Sequence, residues 1–182
     1  VTNSDALSIQ KYMLNLITKL PESFSGNSST KTTTKTTTTT ALPSVNLSAS
    51  FSSGVNGFES RGSASLDLEK DSYYSAGGSL KVSGRGDTWQ GAAISLPSDI
   101  KAGGTYSFSA AVMQASGSAQ DAQITLQYND STGTECYEAI ASASLANKTW
   151  TKLENTAFTI PAGATDLLMY VELTGSTADY YL

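Results

Sequence analysis

An aromatic ring beside a carboxylate on one face of a strand is a pairing that can recognise a ligand, and the last apolar run of this chain supplies one. In Leu167-Leu168-Met169-Tyr170-Val171-Glu172-Leu173 the residues Leu167, Met169, Val171 and Leu173 share a face, which leaves Tyr170 and Glu172 together on the other, about 7 Å apart. A second alternating run starts at Tyr137 and places that ring on a face with Ala139, Ala141 and Ala143, opposite Ile140. Small residues beside an aromatic leave a shallow floor. Such a floor suits a sugar chain, whose ring faces present C–H groups for stacking and whose hydroxyls seek acceptors such as a carboxylate. On pattern alone the tyrosines read equally well as ordinary outward residues of a sheet.

Composition excludes several other chemistries. The chain has 182 residues, no histidine, one cysteine and a formal charge of -5. A serine triad would lack its base, and a basic nucleic-acid surface is not expected. Cys136 has no partner for an internal disulfide, and its thiol reads as buried. No apolar run approaches the length that crosses a bilayer. A glycosidase needs two acids across one bond, yet alternation puts Glu138 on the Ile140 side, away from Tyr137, and no Glu-x-Asp-x-x-Glu run occurs. A spacer or adhesive module is a further alternative, with Arg85-Gly86-Asp87 as its one short signal.

Three segments must position these residues. Residues 1–24 contain Ala6, Ile9, Met13, Leu16, Ile17 and Leu20 at helical spacing behind a Ser4-Asp5 cap, ended by Pro21. Residues 25–45 include the tract from Thr30 to Thr40, all Thr or Lys, which lacks the apolar side chains to offset the entropy of ordering and reads as a disordered linker. From residue 46 to 182 the period changes to two and turn residues recur at short intervals. Strands are expected at Ser79 to Val82, Trp89 to Leu96, Tyr106 to Val112, Gln123 to Tyr128, Tyr137 to Ala143, Trp150 to Phe158 and Leu167 to Leu173. Asn129-Asp130-Ser131-Thr132-Gly133 reads as a hairpin turn. About eight short strands without helices predict an all-β, two-sheet jelly-roll β-sandwich, its final strand cut at Leu182.

The β-region also resembles a known family. Gly77-Gly78-Ser79-Leu80-Lys81-Val82-Ser83-Gly84-Arg85, followed by Thr88-Trp89-Gln90-Gly91-Ala92-Ala93, is similar to the signature of carbohydrate-binding module family 22, found beside xylanase catalytic domains. Phe58-Glu59 with Arg61-Gly62, Gly104 to Ser109, Thr125 to Tyr128, Trp150 to Leu153 and Tyr170-Val171-Glu172 follow in the same order. The resemblance covers roughly residues 47 to 182, and the Arg85-x-x-x-Trp89-x-Gly91 segment decides it. It implies a non-catalytic module that binds xylan for a larger secreted endo-xylanase. Trp89 and Tyr137 would stack on sugar rings, Glu172 would accept sugar hydroxyls, Arg61 would donate, and Tyr170 would support the cleft. Trp150 would lie in the core. Glu59 resembles a ligand of a structural calcium, although the carboxylate expected after Leu182 is missing. Residues Val1 to Leu14 are similar to the second repeat of a dockerin, in which Asp5 would close a calcium loop whose earlier positions lie before Val1. That likeness implies a cohesin partner and a cellulosome-like assembly outside the cell.

Overall fold

The computed structural model describes Val45 and residues 47–182 apart from Ala76. The helix expected over 1–24, with Asp5, and the linker expected over 25–45 lie outside the described residues, Val45 excepted.

Among the described residues ten strands follow in chain order: β1 (Glu59–Arg61), β2 (Ser65–Glu69), β3 (Ser79–Ser83), β4 (Gly91–Ser95), β5 (Thr105–Gln114), β6 (Gln120–Asn129), β7 (Glu135–Leu145), β8 (Thr151–Thr159), β9 (Thr165–Leu173) and β10 (Tyr180–Tyr181). They form two antiparallel five-stranded sheets, ordered β1-β4-β9-β6-β7 and β2-β3-β10-β5-β8. The expected all-β sandwich is therefore the fold. Leu80 and Val82 of β3, Val112 of β5, Leu153 of β8 and Tyr180 of β10 meet Ile124 and Leu126 of β6, Leu145 of β7 and Val171 and Leu173 of β9 in a core closed to solvent. Each such aliphatic side chain contributes about 1.5–3 kcal/mol on leaving water.

The last residues are structural centrepieces. β10 sits between β3 and β5, with Tyr180 opposite both Val82 and Gln114. Leu80 and Leu182 exchange both backbone hydrogen bonds, at 2.8 and 3.0 Å. The β6–β7 turn closes on Asp130, whose carboxylate accepts from the Thr132 amide and hydroxyl and from the Thr134 amide, while Gly133 takes a φ of 82°.

Three expectations are corrected. Ala139, Ala141 and Ala143 do not share one face with Tyr137, because Ile124 pairs with Ala141 and Thr125 with Ala139, leaving Ile140 as the extra residue of a β-bulge. Its carbonyl accepts from the Asn155 side-chain amide at 2.9 Å. Beyond the bulge the alternation inverts, so Ala141 and Ala143 pack on the core. Trp150 is not a core residue. It precedes β8 on the surface, half-buried, with its ring 6.2 Å from that of exposed Tyr74. Cys136 is only half-buried, its thiol directed at the Thr134 carbonyl.

Candidate carbohydrate-binding cleft

The β1-β4-β9-β6-β7 sheet turns one face to the core and the other to a cleft. Register places Glu59, Ala93, Tyr170 and Thr125 in one row across it, and Gln123 beside Glu172. The alternation of β9 that separates its apolar residues from Tyr170 and Glu172 is thus realised, but both are buried in the cleft floor, at 3% and 8% exposure.

Arg61, from β1, lies along that floor. Its guanidinium carbon stands 3.9 Å from the Tyr170 ring centre, 4.8 Å from Trp89 and 5.8 Å from Tyr137. Cation–π attraction of this kind strengthens as water is excluded. Arg61 Nη1 donates to the Trp89 carbonyl at 2.6 Å, and Nη2 donates to Gln127 Oε1 at 3.0 Å. Trp89 and Tyr137 both remain open, at 42% and 53% exposure. Because both rings lie within reach of one guanidinium, they belong to one cleft on one side of the sandwich. Glu172 Oε1 accepts from Thr125 Oγ1 at 2.7 Å and from Gln123 Nε2 at 3.4 Å. No bond is made to its Oε2 among the described residues, so that oxygen is available to a ligand hydroxyl. Burial chiefly, then the nearby Glu172 charge, raises the Tyr170 phenol above its ordinary value, against the opposing pull of Arg61. The ring therefore enters the cleft as a neutral surface.

Trp89 is not on a strand; β4 begins at Gly91, and the loop before it is held by arginine. Arg85 is buried and spends its five N–H donors on five backbone carbonyls: Nε on Gln90 at 2.7 Å, Nη1 on Ser176 and Ala178 at 3.0 and 3.1 Å, and Nη2 on Thr88 and Leu173 at 2.5 and 3.1 Å. With Arg61 on Trp89, the carbonyls of residues 88, 89 and 90 are all gripped. Gly91 has an equally definite reason: a Cβ there would collide with the Val171 carbonyl and the Tyr180 hydroxyl. That hydroxyl donates to Val171 O at 2.5 Å and accepts from the Ala92 amide at 3.1 Å. Arg85, Trp89 and Gly91 thus owe their spacing to one loop. Since Arg85 is buried and fully bonded, it is not displayed as part of an Arg-Gly-Asp tripeptide, and the short signal for adhesion falls away.

Sequence reasoning missed Gln127 and Glu135. Gln127 Nε2 donates to Glu135 Oε2 at 2.8 Å, and the Tyr137 hydroxyl donates to Glu135 Oε1. Gln127 lies within the Thr125 to Tyr128 block that resembles the family, but its place opposite Tyr137 is set by the register of β6 and β7. Glu138 is exposed opposite core-lining Leu126, away from Tyr137. Glu59 is exposed on the edge strand β1. Among the described residues no group of three or more His, Cys, Asp and Glu side chains is gathered as for a metal. A calcium held at Glu59 would therefore have to take the rest of its ligands from carbonyl oxygens.

A cleft with two open rings, a guanidinium and a carboxylate on a β-sandwich defines a carbohydrate-binding class of protein, and the comparisons agree. Residues 44–178 match the family described as "Carbohydrate binding domain". The C-terminal family 22 carbohydrate binding module of Clostridium thermocellum Xyn10B is 32% identical, with a TM-score of 0.70 over 72% of this chain and 85% of that one. A solved xylan-binding domain of the same family gives 32% identity and a TM-score of 0.70, covering 72% of this chain and 86% of that one. The chain belongs to carbohydrate-binding module family 22. Among curated relatives, a xylanase/beta-glucanase of Ruminococcus flavefaciens is 42% identical over 137 residues, 75% of this chain and 17% of that protein. Endo-1,4-beta-xylanase A of Thermotoga maritima is 38% identical over 144 residues, 77% of this chain and 13% of that protein. The chain therefore spans less than a fifth of the length of these relatives.

Proposed function

We propose that the cleft holds a chain of β-1,4-linked xylan, without chemistry, as the targeting module of a larger secreted endo-xylanase-type enzyme. One observation carries this reading: Trp89 and Tyr137 stand open around a single guanidinium, with a Glu172 oxygen in the same floor. Rings supply stacking faces, and Arg61 and Glu172 supply a donor and an acceptor for sugar hydroxyls. The names of the relatives support the substrate and the enzyme. A catalytic pair is disfavoured, because Glu138 and Glu172 lie on opposite faces of the sheet.

Magnitudes set the affinity. Each stacked ring removes on the order of 80 Å² of apolar surface from water, about 2 kcal/mol at ~25 cal/mol per Å². Charge-assisted hydrogen bonds add roughly 1.5–3 kcal/mol each, against an association cost of about 4 kcal/mol or more. The remainder, about 3–6 kcal/mol, corresponds to a Kd from the millimolar range down to some tens of micromolar, which suits a module that moves along a polymer. Preference for xylan over cellulose would follow if Arg61, close to both rings, crowds the C6 hydroxymethyl group that a pentose lacks. The segment 1–24 is proposed to dock a cohesin outside the cell.

Calorimetric titration with xylohexaose and cellohexaose tests the reading. Saturable heat with xylohexaose and a weaker response to cellohexaose is expected. A folded protein that binds neither ligand would overturn it, and release of reducing sugar from xylan would replace it with a hydrolase.

A further inference from the structure

Arg61, Gln127, Glu135 and Tyr137 form one unbroken chain of hydrogen bonds. It starts at the Trp89 carbonyl, passes through both Nη atoms of Arg61 to Gln127 Oε1, continues from Gln127 Nε2 to one Glu135 oxygen, and ends where the other accepts from the Tyr137 hydroxyl. The chain runs from β1 to β7, the two edges of the cleft sheet. Only one orientation of the Gln127 amide satisfies both neighbours, with its oxygen toward the cation and its nitrogen toward the anion. The amide dipole is therefore fixed by the charges at its two ends.

Neither Gln127 nor Glu135 is accounted for by packing. Tyr137 and Glu135 are exposed on an edge strand, where a lone tyrosine would rotate freely. Trp89 is already anchored by its backbone, so the separation of the two rings depends on what holds Tyr137. We propose that Gln127 and Glu135 are positioning residues which tie Tyr137 to the Trp89 loop and fix the spacing of the two stacking rings before a sugar chain arrives. The Tyr137 O–H is used in this tie, so Tyr137 offers a ligand its ring face and an accepting oxygen but no donor. The bond to Glu135 also holds the phenol protonated, above its ordinary value, because ionisation would set two anions together. This inference rests on the proposed function of the same cleft.

The tie saves the ordering cost of Tyr137 on binding, which predicts about 3- to 10-fold weaker affinity when it is cut. Xylohexaose affinity is measured by calorimetry for the wild type, Glu135→Ala, Glu135→Gln, Tyr137→Phe and the Glu135→Ala/Tyr137→Phe double variant. Thermal unfolding is followed in parallel. Glu135→Ala is expected to weaken binding by about 3- to 10-fold with little change in Tm. Glu135→Gln, which keeps an acceptor for Tyr137, recovers part of the loss. In the Tyr137→Phe background, Glu135→Ala has no further effect, because the hydroxyl through which it acts is already gone. Additive losses would show that Glu135 touches the sugar itself and would overturn the tie. Unchanged affinity in Glu135→Ala would overturn it as well. Failure of the wild type to bind overturns the reading of the cleft instead, and the two failures are told apart by that one titration.

Discussion

Truncating Trp89 to alanine isolates the stacking contribution. A tryptophan side chain presents roughly 250 Å², and 42% exposure leaves about 100 Å² of Trp89 open to solvent. Arg61 occupies space 4.8 Å from the ring centre, so a sugar ring reaches most of the remainder and covers about 80 Å². At ~25 cal/mol per Å² this is about 2 kcal/mol, equivalent to a loss of affinity of roughly 30-fold. The fold should tolerate the change, since the hydrogen bonds of Arg61 and Arg85 to the loop go to backbone carbonyls and survive the loss of the Arg61 contact with the indole. Calorimetry with xylohexaose and a thermal melt are the assays. A change in Kd below about 3-fold, with the melt unchanged, would show that the indole is not a stacking surface and would refute the reasoning.

Three further outcomes are expected. Tyr180→Phe leaves the Ala92 amide and the Val171 carbonyl without their buried partner, costing about 2 kcal/mol and lowering Tm by roughly 6–8 °C; a fall of less than about 2 °C would contradict the role given to its hydroxyl. Asp130 is held below the usual carboxylate range, first by the Thr132 hydroxyl and then by backbone amides, so its support of the β6–β7 turn is present at neutral pH and is lost as pH falls through the lowered folded value. Thr132 and Thr134 amide resonances should then titrate with a midpoint below about 3.9, and a midpoint above that would exclude these bonds. Calcium added to protein treated with EDTA tests Glu59 as a ligand: a rise in Tm abolished by Glu59→Gln is expected if Glu59 and carbonyl oxygens hold the ion, and an unchanged Tm would exclude that site.

Period-two alternation made the long strands legible, because Leu167, Met169, Val171 and Leu173 can be buried together only in an extended chain. It also separated Tyr170 and Glu172 from the core. The short edge strands β1 and β2 went unread, since Glu-Ser-Arg holds no apolar residue and the alternation in Ser-Leu-Asp-Leu-Glu rests on only two leucines, of which Leu68 stays exposed. The bulge at Ile140 escaped for a related reason: a strand's own residues do not record that its partner skips one. Trp150 misled because its place in the core came from the family resemblance and not from its own strand pattern, whereas it lies half-buried beside Tyr74 at the surface. Gln127 and Glu135 look like any solvent-facing polar pair until the register brings them between Arg61 and Tyr137.

The arrangement of the cleft depends on the sheet that never touches ligand. Tyr180 of β10 reaches across the core to bond Ala92 of β4 and Val171 of β9, the residues next to Gly91 and between Tyr170 and Glu172. Arg85 lies 5.3 Å from the Tyr180 ring and bonds the Trp89 loop on one side and the segment after β9 on the other. A rigid opposite sheet thus sets the height of the floor, while the hydrogen-bond chain through Arg61 sets the width between the rings. For a ligand held by only a few kcal/mol, a floor that had to reorganise on binding would forfeit much of that sum. Affinity in this module is therefore governed as much by the buried residues that immobilise the aromatic rings as by the rings themselves.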